Sequence, residues 1–193
     1  MAALFFRSLL RLAGKIWAER SPVAQYGCAD TSAIRPHIFT GLLLHGKGRS
    51  VDDTRALKRR AWEHSSDNAE GAGEHTVYGP YVNDFGKPGF YRVSFLVYGS
   101  GFGEEDLPAV ILDVIQRPFF MRDDTLIVLG QRVIRARELK SEYASFDVYC
   151  YAAGSGTHEY RCLVIEESFN PERHTLRFDT IQVHRHVPAW EII

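Results

Sequence analysis

Gly89-Phe90-Tyr91-Arg92-Val93-Ser94-Phe95-Leu96-Val97-Tyr98-Gly99 is a run of β-branched and aromatic residues between two glycines. A strand turns successive side chains to opposite faces, so Tyr91, Val93, Phe95 and Val97 share one side, and Arg92, Ser94, Leu96 and Tyr98 share the other. The first set predicts a core face. The same parity in Ser145–Ala153 puts Phe146, Val148 and Cys150 inward and Asp147, Tyr149 and Tyr151 outward. In Thr175–Val183, Leu176 and Phe178 have one parity while Ile181 and Val183 have the other. Burying all four requires an extra residue, which predicts a bulge near Asp179-Thr180.

Working outward, similar runs alternate with Gly, Pro, Asn and Asp clusters at short intervals, the pattern of an all-β sandwich or barrel. The predicted strands are His75–Val82, Phe90–Tyr98, Ala109–Ile115, Leu126–Arg135, Phe146–Ala152, Glu159–Glu166 and Thr175–Val183, with an eighth over residues 37–44. No long helical period follows residue 75, which argues against a βαβ enzyme. The fold class is therefore all-β, an antiparallel jelly-roll β-sandwich of about eight strands with an N-terminal amphipathic α-helix. The expected division is a helix over 1–20, a linker over 21–74 and the sandwich over 75–193, with strand 37–44 joining it. Within the linker, residues 51–64 read either as a short helix capped by Ser50 or as a strand opening around Ala61-Trp62. The Gly46-Lys47-Gly48 loop lacks the full phosphate-cradle pattern and reads as a turn.

The first twenty residues place Arg7, Arg11 and Lys15 four apart on one stripe of a helix, with Phe5, Leu9, Leu12, Ile16 and Trp17 on the apolar arc. Charges interrupt every apolar run there, which speaks against both a secretory signal and a membrane span. The expectation is a cytoplasmic protein whose helix packs on its own domain, docks a partner or second copy, or lies peripherally on an anionic membrane. The loop carrying Phe119 and Phe120 is a second candidate partner contact, if it is not tucked under the sandwich. A net charge of −1 gives no whole-protein field for nucleic acid, so no specific nucleic-acid partner is expected.

The three cysteines, Cys28, Cys150 and Cys162, lack CxxC spacing, which fits a reducing compartment. Cys150 and Cys162 flank Gly154-Ser155-Gly156-Thr157 almost symmetrically, so a hairpin there would bring them near one another. Parity makes Cys150 a small core side chain rather than a reactive thiol, and a bridge to Cys162 stays open, set by Cα and Cβ geometry that spacing does not give. No nucleophile elbow or His-Glu-x-x-His occurs, and His184-x-His186 has no third ligand at metal spacing, so no catalytic residues are assigned.

Tyr78-Gly79-Pro80-Tyr81, Gly89-x-Tyr91-x-Val93-x-Phe95, Leu112-Asp113-Val114, Tyr143-x-x-Phe146 and Leu176-x-Phe178-Asp179-x-Ile181-x-Val183 follow one another in an order that resembles bacterial jelly-roll modules similar to carbohydrate-binding modules. The resemblance covers about residues 60–185. It implies noncatalytic sugar binding on a sheet face or at loop tips, where aromatic rings lie against sugar C–H faces and charged groups bond hydroxyls. Arg92, Tyr98, Asp113, Tyr149 and Tyr151 are the outward candidates. The competing reading makes the tyrosines ordinary strand residues and pairs Arg92 with Asp113 as a cross-strand ion pair. Some related modules hold a structural calcium ion through an aspartate of the last strand, which here is Asp179. No other cofactor is expected.

Overall fold

The computed structural model describes residues 37–39, 44–65, 75–79, 88–117, 126–153 and 156–186. These contain eleven strands: β1 (His37–Phe39), β2 (Leu44–His45), β3 (Arg49–Asp52), β4 (Arg60–Glu63), β5 (Val77–Tyr78), β6 (Gly89–Ser100), β7 (Pro108–Arg117), β8 (Ile127–Arg135), β9 (Ala144–Ala152), β10 (Thr157–Val164) and β11 (Thr175–His186). They form two antiparallel sheets. Sheet A runs β3-β4-β11-β6-β9, with β1 also paired to β11, and sheet B runs β2-β5-β10-β7-β8.

The predicted core face is the observed one. Tyr91, Val93, Phe95, Val97, Phe146, Val148 and Cys150 from sheet A meet Val110, Leu112, Val114, Tyr160 and Cys162 from sheet B in one buried cluster. The predicted bulge is present as well. Phe178 opposes Val97 and Ile181 opposes Phe95, so Asp179 and Thr180 together face only Leu96. The bulge also divides the edge of β11 away from β6, which pairs with β4 at residues 177–178 and with β1 at residues 181–183.

Several expectations change. Residues 49–63 form the hairpin β3–β4 of sheet A, so the strand reading of Ala61-Trp62 holds and the helix reading does not. The sandwich therefore begins well before residue 75. Run 37–44 contributes to both sheets at its described ends, β1 to sheet A and β2 to sheet B. Strand count rises from about eight to eleven through these short segments. The helix over 1–20, with Phe5, Arg7, Leu9, Arg11, Leu12, Lys15, Ile16 and Trp17, lies outside the described residues, as do Phe119 and Phe120.

Cys150 and Cys162 are not a bridged hairpin pair. Their strands β9 and β10 sit in different sheets, and both thiols are free and buried. Burial pushes the Cys150 thiol up to about 12 and raises Cys162 well above the usual range. Both should therefore resist thiol reagents. In a thiol-counting assay, at most one cysteine per chain, Cys28, is expected to react before denaturation and all three after it. Reaction of two or more in the native protein would contradict this burial.

Gly101 closes the end of β6 with φ of +81°. A Cβ there would also overlap the carbonyl of Arg173. Gly101→Ala should cost about 1–3 kcal/mol from the backbone conformation alone, read as a lower denaturation midpoint. An unchanged midpoint would show that the turn can rearrange.

Candidate functional site

The outer face of sheet A is a grid whose rows follow from the register. Tyr149, Arg92 and His184 are neighbours across β9, β6 and β11, and Tyr151 and Phe90 form the next row. Asp147, Ser94 and Gln182 form the row on the other side. Tyr149 and Tyr151 are 44% and 51% exposed. Two residues apart on one strand, their Cα atoms are separated by about 7 Å. The Tyr151 ring meets the Phe90 ring edge-on at 5.1 Å, which fixes its tilt. Asp147 is held by the Ser94 hydroxyl at 2.6 Å and the Ser145 hydroxyl at 3.3 Å. The result is an open aromatic surface with a half-buried guanidinium beside it and a positioned carboxylate next to that.

Of the five predicted ligand residues, the fold brings Arg92, Tyr149 and Tyr151 together. It separates the other two. Asp113 lies on β7 in sheet B, where it opposes Arg161 and accepts Nε and Nη2 bonds of 2.8 and 2.6 Å. The Arg92–Asp113 ion pair does not exist, because the two residues are on different sheets. Phe90 and His184, outside the five predicted residues, complete the aromatic face. Phe90 could have been found from its parity with Arg92, whereas His184 required the register of β11.

Tyr98 does belong to the outer face of sheet A, but six residues from Arg92 along β6, about 20 Å away. It is only 9% exposed, because the β3–β4 loop folds over it. The Arg55 guanidinium lies 4.3 Å above its ring and that of Arg177 lies 5.7 Å away. This corner is an alternating chain of charges. Arg49 bonds Glu63, Glu63 accepts from Arg177, Arg177 donates to Asp53, and Asp53 accepts a two-pronged bond from Arg55. Bonds from Arg55, then from Arg177 and Tyr143, outweigh burial and hold the Asp53 carboxyl far below the usual carboxylate range. Glu63 is pushed up by burial, but bonds from Arg49 and Arg177 carry it below its ordinary value.

Asp179 sits beside this network at the bulge. Its Oδ2 accepts the Leu57 backbone N–H at 2.8 Å. Burial, with the nearby Asp53 charge, raises its carboxyl. Asp53 is thus the acidic neighbour from the start of the sandwich that a last-strand calcium site would need. The donor set does not fit calcium, which takes six to eight oxygens. Asp53 already accepts bonds from two guanidinium groups, and among the described residues no three His, Cys, Asp or Glu side chains converge.

A separate buried group lies where the two sheets meet at one end. His64 Nδ1 is 2.8 Å from the Thr76 hydroxyl, and its Nε2 is 3.6 Å from Glu166, which also accepts from Lys47 at 3.0 Å. The Phe169 ring stands edge-on to it at 4.7 Å. Burial lowers its basicity against the pull of Glu166, so the ring is neutral near pH 7.

No family model matches the chain, and no curated protein matches it in sequence. Among solved structures the chain is similar to carbohydrate-binding modules. The N-terminal CBM22-1–CBM22-2 tandem domain of Paenibacillus barcinonensis Xyn10C aligns at a TM-score of 0.53 and 12% identity, over 83% of this chain and 52% of that one. The Clostridium thermocellum endo-1,4-β-D-xylanase 10B CBM22-1–GH10 modules, solved with xylohexaose, align at 0.48 and 13%, over 78% of this chain and 24% of that one. A family 35 carbohydrate-binding module from Clostridium thermocellum aligns at 0.47 and 11%, over 76% of this chain and 97% of that one. The chain spans about a quarter of the xylanase structure and about half of the tandem. At these identities the likeness is one of fold, a β-sandwich of the carbohydrate-binding-module kind.

Proposed function

We propose that this chain is a noncatalytic carbohydrate-binding module that holds a saccharide on the outer face of sheet A. The observation that carries this reading is the exposed pair Tyr149 and Tyr151 on one strand, backed by Phe90 and flanked by Arg92. Aromatic rings that stay in water on a sheet face offer apolar area to sugar C–H groups at little entropy cost. Arg92 supplies charge-assisted bonds to hydroxyl or carboxylate oxygens, and Asp147 supplies an acceptor already oriented by two serines. An exposed aromatic pair beside fixed polar groups is how a binding face differs from an ordinary strand surface.

The test is a glycan array that includes xylohexaose, run on the full chain and on Tyr149→Ala, Tyr151→Ala and the double variant. Each truncation is expected to weaken binding about tenfold, since losing a stacked ring costs about 1–1.5 kcal/mol. Both singles should keep the wild-type unfolding midpoint, because the rings are exposed. No binding to any glycan, or binding that the double variant retains in full, would remove this reading.

A further inference from the structure

We infer that the Asp53–Asp179 corner is neutralised by the chain's own arginines and that the sandwich needs no calcium there. Asp53 accepts from Arg55 N at 3.1 Å, Arg55 Nε and Nη2 at 2.9 Å each, Arg177 Nη1 at 2.9 Å and the Tyr143 hydroxyl at 3.2 Å. Those five bonds use the lone pairs that a cation would need. A divalent ion between Asp53 and Asp179 would also face two guanidinium charges fixed within bonding distance of the same carboxylate, and like charges at such separations repel. The Arg55 side chain is held by more than charge, because its planar group lies on the Tyr98 ring while its fork grips Asp53. Arg177 is fixed likewise, bridging Asp53 and Glu63. The guanidinium groups therefore do the work of a structural cation. They tie the β3–β4 loop to β6 and β11 at the bulge, and the loop is further pinned there by the Leu57 N–H on Asp179.

This inference does not depend on sugar binding. It is tested by thermal unfolding of the full chain after chelation, in excess chelator, in about 10 mM calcium and in sodium chloride of matched ionic strength. The midpoints are expected to agree within about 1 °C. A site with a Kd of about 0.1 mM would raise the midpoint by roughly 5–10 °C under those conditions, and a calcium-specific rise of that size would overturn the inference. Arg55→Met should lower the midpoint by several degrees, equally with and without calcium. Should that variant fail to fold, Arg55→Lys, which keeps the charge but loses the fork, should show a smaller loss in the same direction. An Arg55→Met midpoint equal to wild type would equally overturn the assignment.

Discussion

Arg177→Ala is expected to be among the most destabilising single changes in the sandwich, costing about 3–5 kcal/mol, the range for removing one partner of a buried ion pair. The loss should appear as a drop of roughly 10 °C in the unfolding midpoint. The reason is geometric. One guanidinium on β11 satisfies Glu63 on β4 through Nε and Asp53 in the loop through Nη1, so its removal exposes two carboxylates to each other's charge. The Asp53 side chain is almost wholly buried, and among the described residues only Arg55 and Tyr143 would remain to hold it. A loss below about 1 kcal/mol, the range for surface pairs, would show that the corner opens to water and does not bind the loop.

The same corner sets a pH dependence. Asp53 and Glu63 have carboxyls depressed in the folded state, so their contribution is present above the unfolded value near 4 and is lost as pH falls below it. His64 acts earlier. Its folded basicity is below the ordinary value of about 6.5, so the unfolded chain takes up that proton first and stability begins to fall below about pH 6.5. The wild-type profile should therefore decline in two stages on acidification. In Arg177→Ala the lower stage should be shallower, because its carboxyls are less depressed.

The second large effect is at Asp113. Asp113→Ala should cost about 3–5 kcal/mol, because it removes the carboxylate that takes two bonds from the Arg161 guanidinium, whose side chain is only 16% exposed. Replacing both partners with leucine should restore most of that loss, since an apolar pair of similar volume removes the half-buried charge along with its carboxylate. A ligand-binding aspartate would behave differently, losing sugar affinity with little change in midpoint. Denaturation curves of the single and double variants distinguish these outcomes. A single variant as stable as wild type would refute the structural role.

The contrast between Asp113 and Tyr149 shows what the sequence can carry. Parity along one strand is a local property, so the inward set led by Tyr91, Val93 and Phe95 and the outward pair Tyr149 and Tyr151 were readable without knowing any neighbour. The bulge was readable for the same reason, since Phe178 and Ile181 cannot both face inward on a regular strand. Sheet membership is not local. Asp113 shares the outward parity of Arg92, but nothing in either strand says that β6 and β7 belong to opposite layers. The symmetric spacing of Cys150 and Cys162 about a glycine turn suggested a hairpin, yet the chain crosses between sheets at that point. Tyr98 faces outward, as its parity predicts. What covers it comes from Arg55 and from Arg177, which meet at Asp53, and Arg177 lies 124 positions from Asp53, a distance that no sequence pattern bridges.

The proposed placement of a saccharide on sheet A is tested most directly by an amide chemical-shift map of the isotope-labelled full chain, titrated with the strongest glycan from the array. Shifts are predicted to concentrate in residues 89–94 of β6 and 147–151 of β9, with those around Asp113 and Arg161 in sheet B unmoved. Shifts centred on sheet B, or a saturating glycan that leaves β6 and β9 unchanged, would contradict it.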